Sequence, residues 1–185
     1  IGSQMTSGMP IIEATDKIIS LYKKLLAEGI KVDHIDMGGG LGVTYDNETP
    51  PTPSEYCAPI LERLKDLDVS IYIEPGRAMV ANACILLAKV QYQKDNGDKH
   101  FIITDTGMND MIRPALYGSW MTIINTTVHP DGETVKSDVV GPICESDDFL
   151  GKDRKLNVRN GDILAVRGAG AYGSSMASTY NTRHF

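Results

Sequence analysis

The 185-residue sequence has no apolar run approaching the roughly 20 residues needed to cross a bilayer, and its first residues lack the basic-then-apolar pattern of a signal peptide. It also lacks an excess of positive charge. Its formal net charge of -6 removes the Lys and Arg surplus on which sequence-independent binding to phosphate backbones depends, which excludes that kind of nucleic-acid partner. Cysteine is scarce: Cys57, Cys84 and Cys144 form an odd, widely spaced set with no CxxC pair and no His at zinc-ligand spacing. Structural disulfides and a metal centre are therefore not expected, and each cysteine is expected as a small buried hydrophobe unless its surroundings say otherwise. No biased tract and no internal repeat interrupts the chain. What remains is an ordinary globular composition, expected in the cytoplasm with neither membrane nor nucleic acid as partner. The first residue is Ile1 rather than Met, and Asn181-Thr182-Arg183-His184-Phe185 supplies no closing element, so the chain reads as a segment of something longer.

Hydrophobic periodicity organises what is there. From Pro10 to Glu28, apolar residues Ile11, Ile18, Tyr22 and Leu25 recur at helical spacing, with Pro10 suited to the first turn and Gly29 to the stop. Ile30 to Met37 alternates like a strand and runs into Gly38-Gly39-Gly40-Leu41-Gly42. Thr52 and Glu55 have capping-box spacing ahead of a second helix with a Tyr56, Ile60, Leu64 and Leu67 stripe, and Val69 to Ile73 reads as another strand. Helix, strand, helix, strand is the rhythm of α/β architecture, in which functional loops follow the carboxyl ends of parallel strands. Beyond Arg77 the pattern changes. Cys84–Tyr92, Phe101–Asp105, Val135–Val140 and Ile163–Arg167 are strand-like runs between Gly, Asn and Asp turns, so the remainder is expected to be β-rich, with a boundary near Asn82.

Five loops carry residues suited to chemistry. The Gly38–Gly42 loop leaves backbone N–H groups unobstructed and suits either an anion such as phosphate or a tight turn needing positive φ. Glu74-Pro75-Gly76-Arg77 sets a carboxylate and a guanidinium at the end of the next strand, either as a rim salt bridge or as part of a shared ligand site. In Gly107–Tyr117, Arg113 and Tyr117 can fix a carboxylate, or serve as a surface residue and a core edge. Gly141–Phe149 places Cys144 beside Glu145 in an acidic turn, where neighbouring carboxylates favour a protonated thiol that donates rather than attacks. Gly168-Ala169-Gly170-Ala171-Tyr172-Gly173 offers one phenol on an open backbone.

In this order, GGGLG, EPGR, RPALY, GPICES and AGAYG resemble the fold type III, alanine-racemase-like decarboxylases that use pyridoxal phosphate, over essentially the whole chain. The first two motifs mark the group, and the last three narrow it to the diaminopimelate decarboxylase branch. In ornithine and arginine relatives the cysteine is typically followed by Asp; here Glu145 follows Cys144. The resemblance implies that residues 1–82 form the carboxyl-terminal part of a (β/α)8 TIM barrel that binds pyridoxal phosphate, and residues 83–185 a β-rich, barrel-like domain. It implies cofactor-binding roles for Ser3, Gly40, Glu74, Gly76, Arg77 and Tyr172, with Ser3, Gly40 and Gly76 on the phosphate and Glu74 facing the pyridine nitrogen. Arg77, Arg113, Tyr117, Glu145 and Tyr172 would bind substrate. Cys144 would be the general acid, delivered across a homodimer interface.

The resemblance also sets what to expect of activity: conversion of meso-2,6-diaminopimelate to L-lysine and carbon dioxide in lysine biosynthesis. Two residues of the family pattern are missing from the sequence, the lysine that anchors the cofactor and a His expected just ahead of Ile1. Local lysines such as Lys31 and Lys89 are better read as solvated surface residues. The segment alone is accordingly expected to be inactive. The rival expectations are a related decarboxylase acting on ornithine, arginine or carboxynorspermidine, and a non-catalytic paralogue retained for regulation.

Overall fold

In a computed structural model, which describes residues 1–184, the chain divides into two compact units, Ile1–Met79 and the stretch from Val80 onward. Phe185, the last residue of the expected β-rich portion, lies outside the described residues.

The first unit is built on one parallel strand pair. Helix α1 (Met9–Ala27) starts with Pro10 in its first turn and stops at Gly29, which adopts φ +79°. Ile11 and Tyr22 are buried as the periodicity predicts, but the stripe continues through Ala14 and Thr15 rather than Leu25. Thr15 hides its hydroxyl by donating to the Ile11 carbonyl at 2.7 Å. Helix α2 (Pro53–Leu64) has the predicted capping box: Thr52 Oγ1 accepts the Glu55 N–H and the Glu55 carboxylate accepts the Thr52 N–H. Tyr56, Ile60 and Leu64 turn inward to a core shared with Ile11, Tyr22, Ile35, Met37 and Leu41. Strand β1 (His34–Asp36) pairs in parallel with β2 (Ser70–Tyr72), and both are shorter than the sequence suggests. The reason is pairing: among the described residues each has only the other as a neighbouring strand, and they overlap over three residues. A short helix, α3 (Gly76–Val80), follows β2.

The second unit is a curled six-stranded sheet. Its strands are β3 (Ile85–Asn96), β4 (Lys99–Thr104), β5 (Ile123–Asn125), β6 (Val135–Val140), β7 (Phe149–Leu156) and β8 (Ile163–Arg167), in the order β5-β8-β3-β4-β6-β7. β3 bends the sheet. Its first half pairs with β8 and its second half with β4, and the register slips by one residue between Val90 and Tyr92, a bulge that increases local twist. β4 and β6 run parallel, while every other pair is antiparallel.

The two edge strands, β5 and β7, approach each other, so the sheet comes close to closing as a barrel. Arg154 spans that seam from β7. Its Nη2 donates to the Met121 carbonyl at 3.2 Å, and its guanidinium carbon lies 3.3 Å from the centroid of the Trp120 ring. Ala88, Val90, Ile102, Val139, Leu150, Leu164 and Val166 are all buried. Each large aliphatic side chain so buried contributes about 1.5–3 kcal/mol relative to exposure. β5 and β7 fall outside the strands predicted from sequence. A helix α4 (Arg113–Tyr117) occupies the connection between β4 and β5. Among the described residues, no helix is long and apolar enough to cross a membrane.

Candidate active site

In the first unit, the glycine loop after β1 and the turn after β2 lie side by side because glycine permits it. The Glu74 N–H donates to the Gly38 carbonyl at 2.8 Å, and a Cβ on Gly39 would collide with the Glu74 carbonyl oxygen. Gly40 has φ +98°, and a Cβ there would sit 2.7 Å from the Ile1 carbonyl oxygen. The amino-terminal segment thus passes over the loop, and Met5 fixes it by donating to Gly40 O at 2.8 Å and accepting from Gly42 N–H at 3.1 Å. Helix α2 braces the same loop from below, with the Tyr56 hydroxyl donating to Gly39 O at 2.8 Å. Arg77 completes the rim. Its Nη2 donates to Ser3 Oγ at 3.0 Å and its Nη1 to the Tyr45 hydroxyl at 2.7 Å. Ser3, Gly40, Glu74, Gly76 and Arg77 therefore share one rim of this unit, with Glu74 exposed. A hydroxyl and a guanidinium together form a donor set suited to a phosphate.

In the second unit, Cys144 and Glu145 occupy the turn between β6 and β7. Both are exposed. Cys84 is exposed too and Cys57 half-buried, so the expectation of buried, inert cysteines fails at two of the three positions. Cys144 lies in a polar turn, whereas Cys84 stands exposed at the entry to β3. Glu145 accepts a hydrogen bond from the Tyr180 hydroxyl at 3.1 Å. That contact, with the neighbouring carboxylate charge, raises the Tyr180 phenol above its ordinary range. Glu145 and Tyr180 line a cavity of about 290 Å³ with Met108, Asn109, Ile112 and Ser178. Cys144 borders a separate depression with Arg183, Gly141 and Thr104.

Arg113 follows directly on Ile112 of the Glu145 cavity wall. It is 6% exposed, and its Nη1 lies 3.4 Å from the Met121 sulfur, so the alternative of a surface arginine is overturned. Pro114 in the first turn and Gly118 in the left-handed region confine α4 to five residues. Tyr117, one turn along, is 63% exposed, which excludes a core-edge role in this unit. Tyr172 has φ +63°, in a loop whose Gly170 packs against the Val80 carbonyl so closely that a Cβ would collide with it. That loop borders another cavity, with Asp110 and Met111 on its wall. The segment 108–112 thus has the Glu145 cavity on one side and the Tyr172 loop on the other.

Asp148 had no assigned role in the sequence pattern beyond its acidity. The structure makes it the buried hinge of this region: 4% exposed, with one oxygen accepting the Met108 N–H at 2.6 Å and the other the Ile143 N–H at 2.5 Å. Burial pushes its carboxyl above the usual range, and the two N–H groups and Arg183 oppose that rise. The sequence carries no trace of this, because Gly107 and Gly141, whose missing side chains make room for the carboxylate, both precede Asp148 and meet it only on folding. Tyr45 and Tyr180, partners of Arg77 and Glu145, were likewise unmarked.

Known proteins give this geometry a context. A family model described as the pyridoxal-dependent decarboxylase C-terminal sheet domain matches residues 13–170. Diaminopimelate decarboxylase of Haemophilus influenzae is 54% identical over 184 residues, covering 99% of this chain and 44% of that protein. The crystal structure of AQ1208 from Aquifex aeolicus superposes with a TM-score of 0.95 at 44% identity, covering 99% of this chain and 46% of that one. Diaminopimelate decarboxylase from Helicobacter pylori, complexed with L-lysine, gives a TM-score of 0.91 at 45% identity over 98% of this chain and 45% of that one. The chain thus spans less than half the length of these relatives.

Proposed function

We propose, from the premise that this chain belongs to the pyridoxal-dependent decarboxylases through their C-terminal sheet domain, that the complete enzyme converts meso-2,6-diaminopimelate to L-lysine and carbon dioxide. The observation that carries this reading is a thiol and a carboxylate, Cys144 and Glu145, adjacent on one exposed turn, with the carboxylate in a cavity whose wall leads into the buried guanidinium of Arg113. A proton donor, an anion for an ammonium and a cation for a carboxylate are what decarboxylation of a substrate with amino-acid groups at both ends requires.

On this reading residues 1–82 are the closing part of a (β/α)8 barrel. The rim they form fits pyridoxal phosphate, because Ser3 Oγ and the Arg77 guanidinium lie within 3.0 Å of each other near Gly76, where an added Cβ would meet nothing. Ser3, Gly40 and Gly76 would hold the phosphate with Arg77 bordering the cofactor, Glu74 would face the ring nitrogen, and Tyr172 would touch cofactor and substrate. When bound, the cofactor supplies an electron sink for the carbon that loses its carboxylate. No lysine of this chain is assigned as its anchor.

Cys144 then delivers the proton from its Sγ to the α-carbon. Arg113, Tyr117 and Arg77 hold the distal carboxylate, and Glu145 pairs with the distal ammonium. Tyr180 keeps Glu145 oriented in the absence of substrate. Cys144 reaches its substrate across a homodimer interface, and the enzyme works in the cytoplasm.

Specificity follows from charge matching. A substrate without the distal carboxylate forfeits its charge-assisted contacts with the arginines, and sites built on polar groups reject analogues lacking the partner group by about 10⁴-fold. The test is turnover of meso-diaminopimelate against ornithine and lysine by the complete enzyme, together with Cys144→Ala. Strong preference for the diaminopimelate and severe slowing in the variant with cofactor absorbance retained are expected; equal turnover of ornithine refutes the substrate assignment.

A further inference from the structure

We infer that Asp148 is a positioning residue whose carboxylate clamps the Gly107–Met108 loop to the Gly141–Ile143 turn and thereby fixes the placement of Cys144 and Glu145. The inference rests on the reading that this turn acts on substrate, and adds a residue that touches neither substrate nor cofactor.

The clamp is two-sided. One carboxylate oxygen accepts the Met108 N–H at 2.6 Å and the other the Ile143 N–H at 2.5 Å, which joins segments 40 and 5 residues away in sequence. The main chain reinforces it: Gly141 N–H donates to Asp148 O at 3.1 Å, Asp148 N–H to Glu145 O at 3.2 Å, and Glu145 N–H to Ile143 O at 2.8 Å. Cys144 and Glu145 therefore sit inside a loop pinned at both ends by one residue.

Two glycines make room for it. A Cβ on Gly107 would meet one Asp148 carboxylate oxygen at 2.6 Å, and a Cβ on Gly141 would meet the other at 2.6 Å and also collide with the Gly107 Cα. The far side of the Gly107 loop is closed by Asp110, which accepts the Gly107 N–H at 2.9 Å. Met108, Asn109 and Ile112 then line the cavity that Glu145 faces, so both walls of that cavity are referred to the same buried carboxylate. The geometry requires Asp. Both partners are N–H donors, so two acceptor oxygens are needed; Asn offers one, and its amide N–H groups would face the second donor.

The experiment compares Asp148→Asn, Cys144→Ala and the double variant in the complete enzyme, with backbone amide exchange measured alongside. In Asp148→Asn, exchange at Met108 and Ile143 should accelerate at least tenfold and kcat should fall about 10- to 100-fold, with cofactor absorbance unchanged. In the Cys144→Ala background the same substitution should cost almost nothing further, because its effect passes through the turn. Gly107→Ala, which presses on the carboxylate without removing it, should give the same local exchange signature if Asp148→Asn does not fold. Unchanged exchange at these amides, or a kcat loss that adds fully to that of Cys144→Ala, overturns the inference. Wild-type turnover in Cys144→Ala alone would instead refute the catalytic reading of the turn and leave the clamp to be judged by exchange.

Discussion

Replacing Arg154 by Met tests how the curled sheet is held shut. The substitution keeps an unbranched apolar stem but removes the guanidinium that spans the seam between β7 and the segment entering β5. That group donates to Met121 O at 3.2 Å and Lys152 O at 3.0 Å, and lies over the Trp120 ring at 3.3 Å, in a residue left only 7% exposed. Hydrogen bonds from a charged group contribute about 1.5–3 kcal/mol each, and a desolvated cation–π contact about 2 kcal/mol. Removing a buried charge returns several kcal/mol of desolvation. The net expected loss is about 2–3 kcal/mol. Because Trp120 is the only tryptophan of this chain, its fluorescence reports the joint itself. Urea unfolding followed by that emission should show an earlier midpoint and a changed native-state spectrum. A midpoint displaced by less than about 0.5 kcal/mol, with native emission unaltered, would refute the reasoning and leave the hydrophobic interior as the sole source of closure.

The other predictions concern pH and the glycine loop. Asp162 accepts from His129 Nε2 at 2.6 Å, Asn125 Nδ2 at 2.7 Å and the Arg159 N–H at 2.8 Å. Burial opposes its ionisation, but the Arg159 N–H, His129 and Asn125 outweigh burial and hold its carboxyl below the usual range. A depressed folded-state value means that its contribution is present above the unfolded-state pKa and is lost as pH falls through the folded one. The stability gap between wild type and Asp162→Asn should therefore narrow on acidification; a gap constant from pH 7 into the acid range argues against that network. In Gly39→Ala, the new methyl collides with the Glu74 carbonyl and drives the two rim loops apart. Overpacking of about 1–3 kcal/mol should weaken pyridoxal phosphate binding by the complete enzyme about 10- to 100-fold, read by absorbance titration. Unchanged affinity would remove this rim from the cofactor site.

What the sequence disclosed, and what it withheld, follows from the range of the forces involved. The capping box at Thr52 and Glu55, the stop at Gly29 and the inward stripe of Tyr56, Ile60 and Leu64 are decided within a few residues, and the structure has them all. β6 and β8 were readable because both are short apolar-rich runs bounded by turns. β7 was not: Phe149–Leu156 contains Lys152, Asp153, Arg154 and Lys155, and it forms because β6 offers an edge to pair with. The candidate site loops were marked by their unusual composition. Their couplings were not, since Asp148 meets Met108, and Arg77 meets Ser3, across 40 and 74 residues of chain. Arg113 shows the same limit, because only the folded chain reveals that its guanidinium is buried beside Met121.

The parallel pairing of β4 with β6 constrains how this protein can be engineered or can drift. A hairpin reverses direction, so two neighbouring strands that point the same way oblige the chain to travel back the length of the sheet before it re-enters. Residues 105–134 make that return journey, and Asn109, Arg113 and Tyr117 ride on it. The excursion cannot be trimmed to a tight turn, as a surface insertion could, without unpairing β6. Variation in this region is thus confined to exchanging side chains along a path whose length the sheet itself dictates.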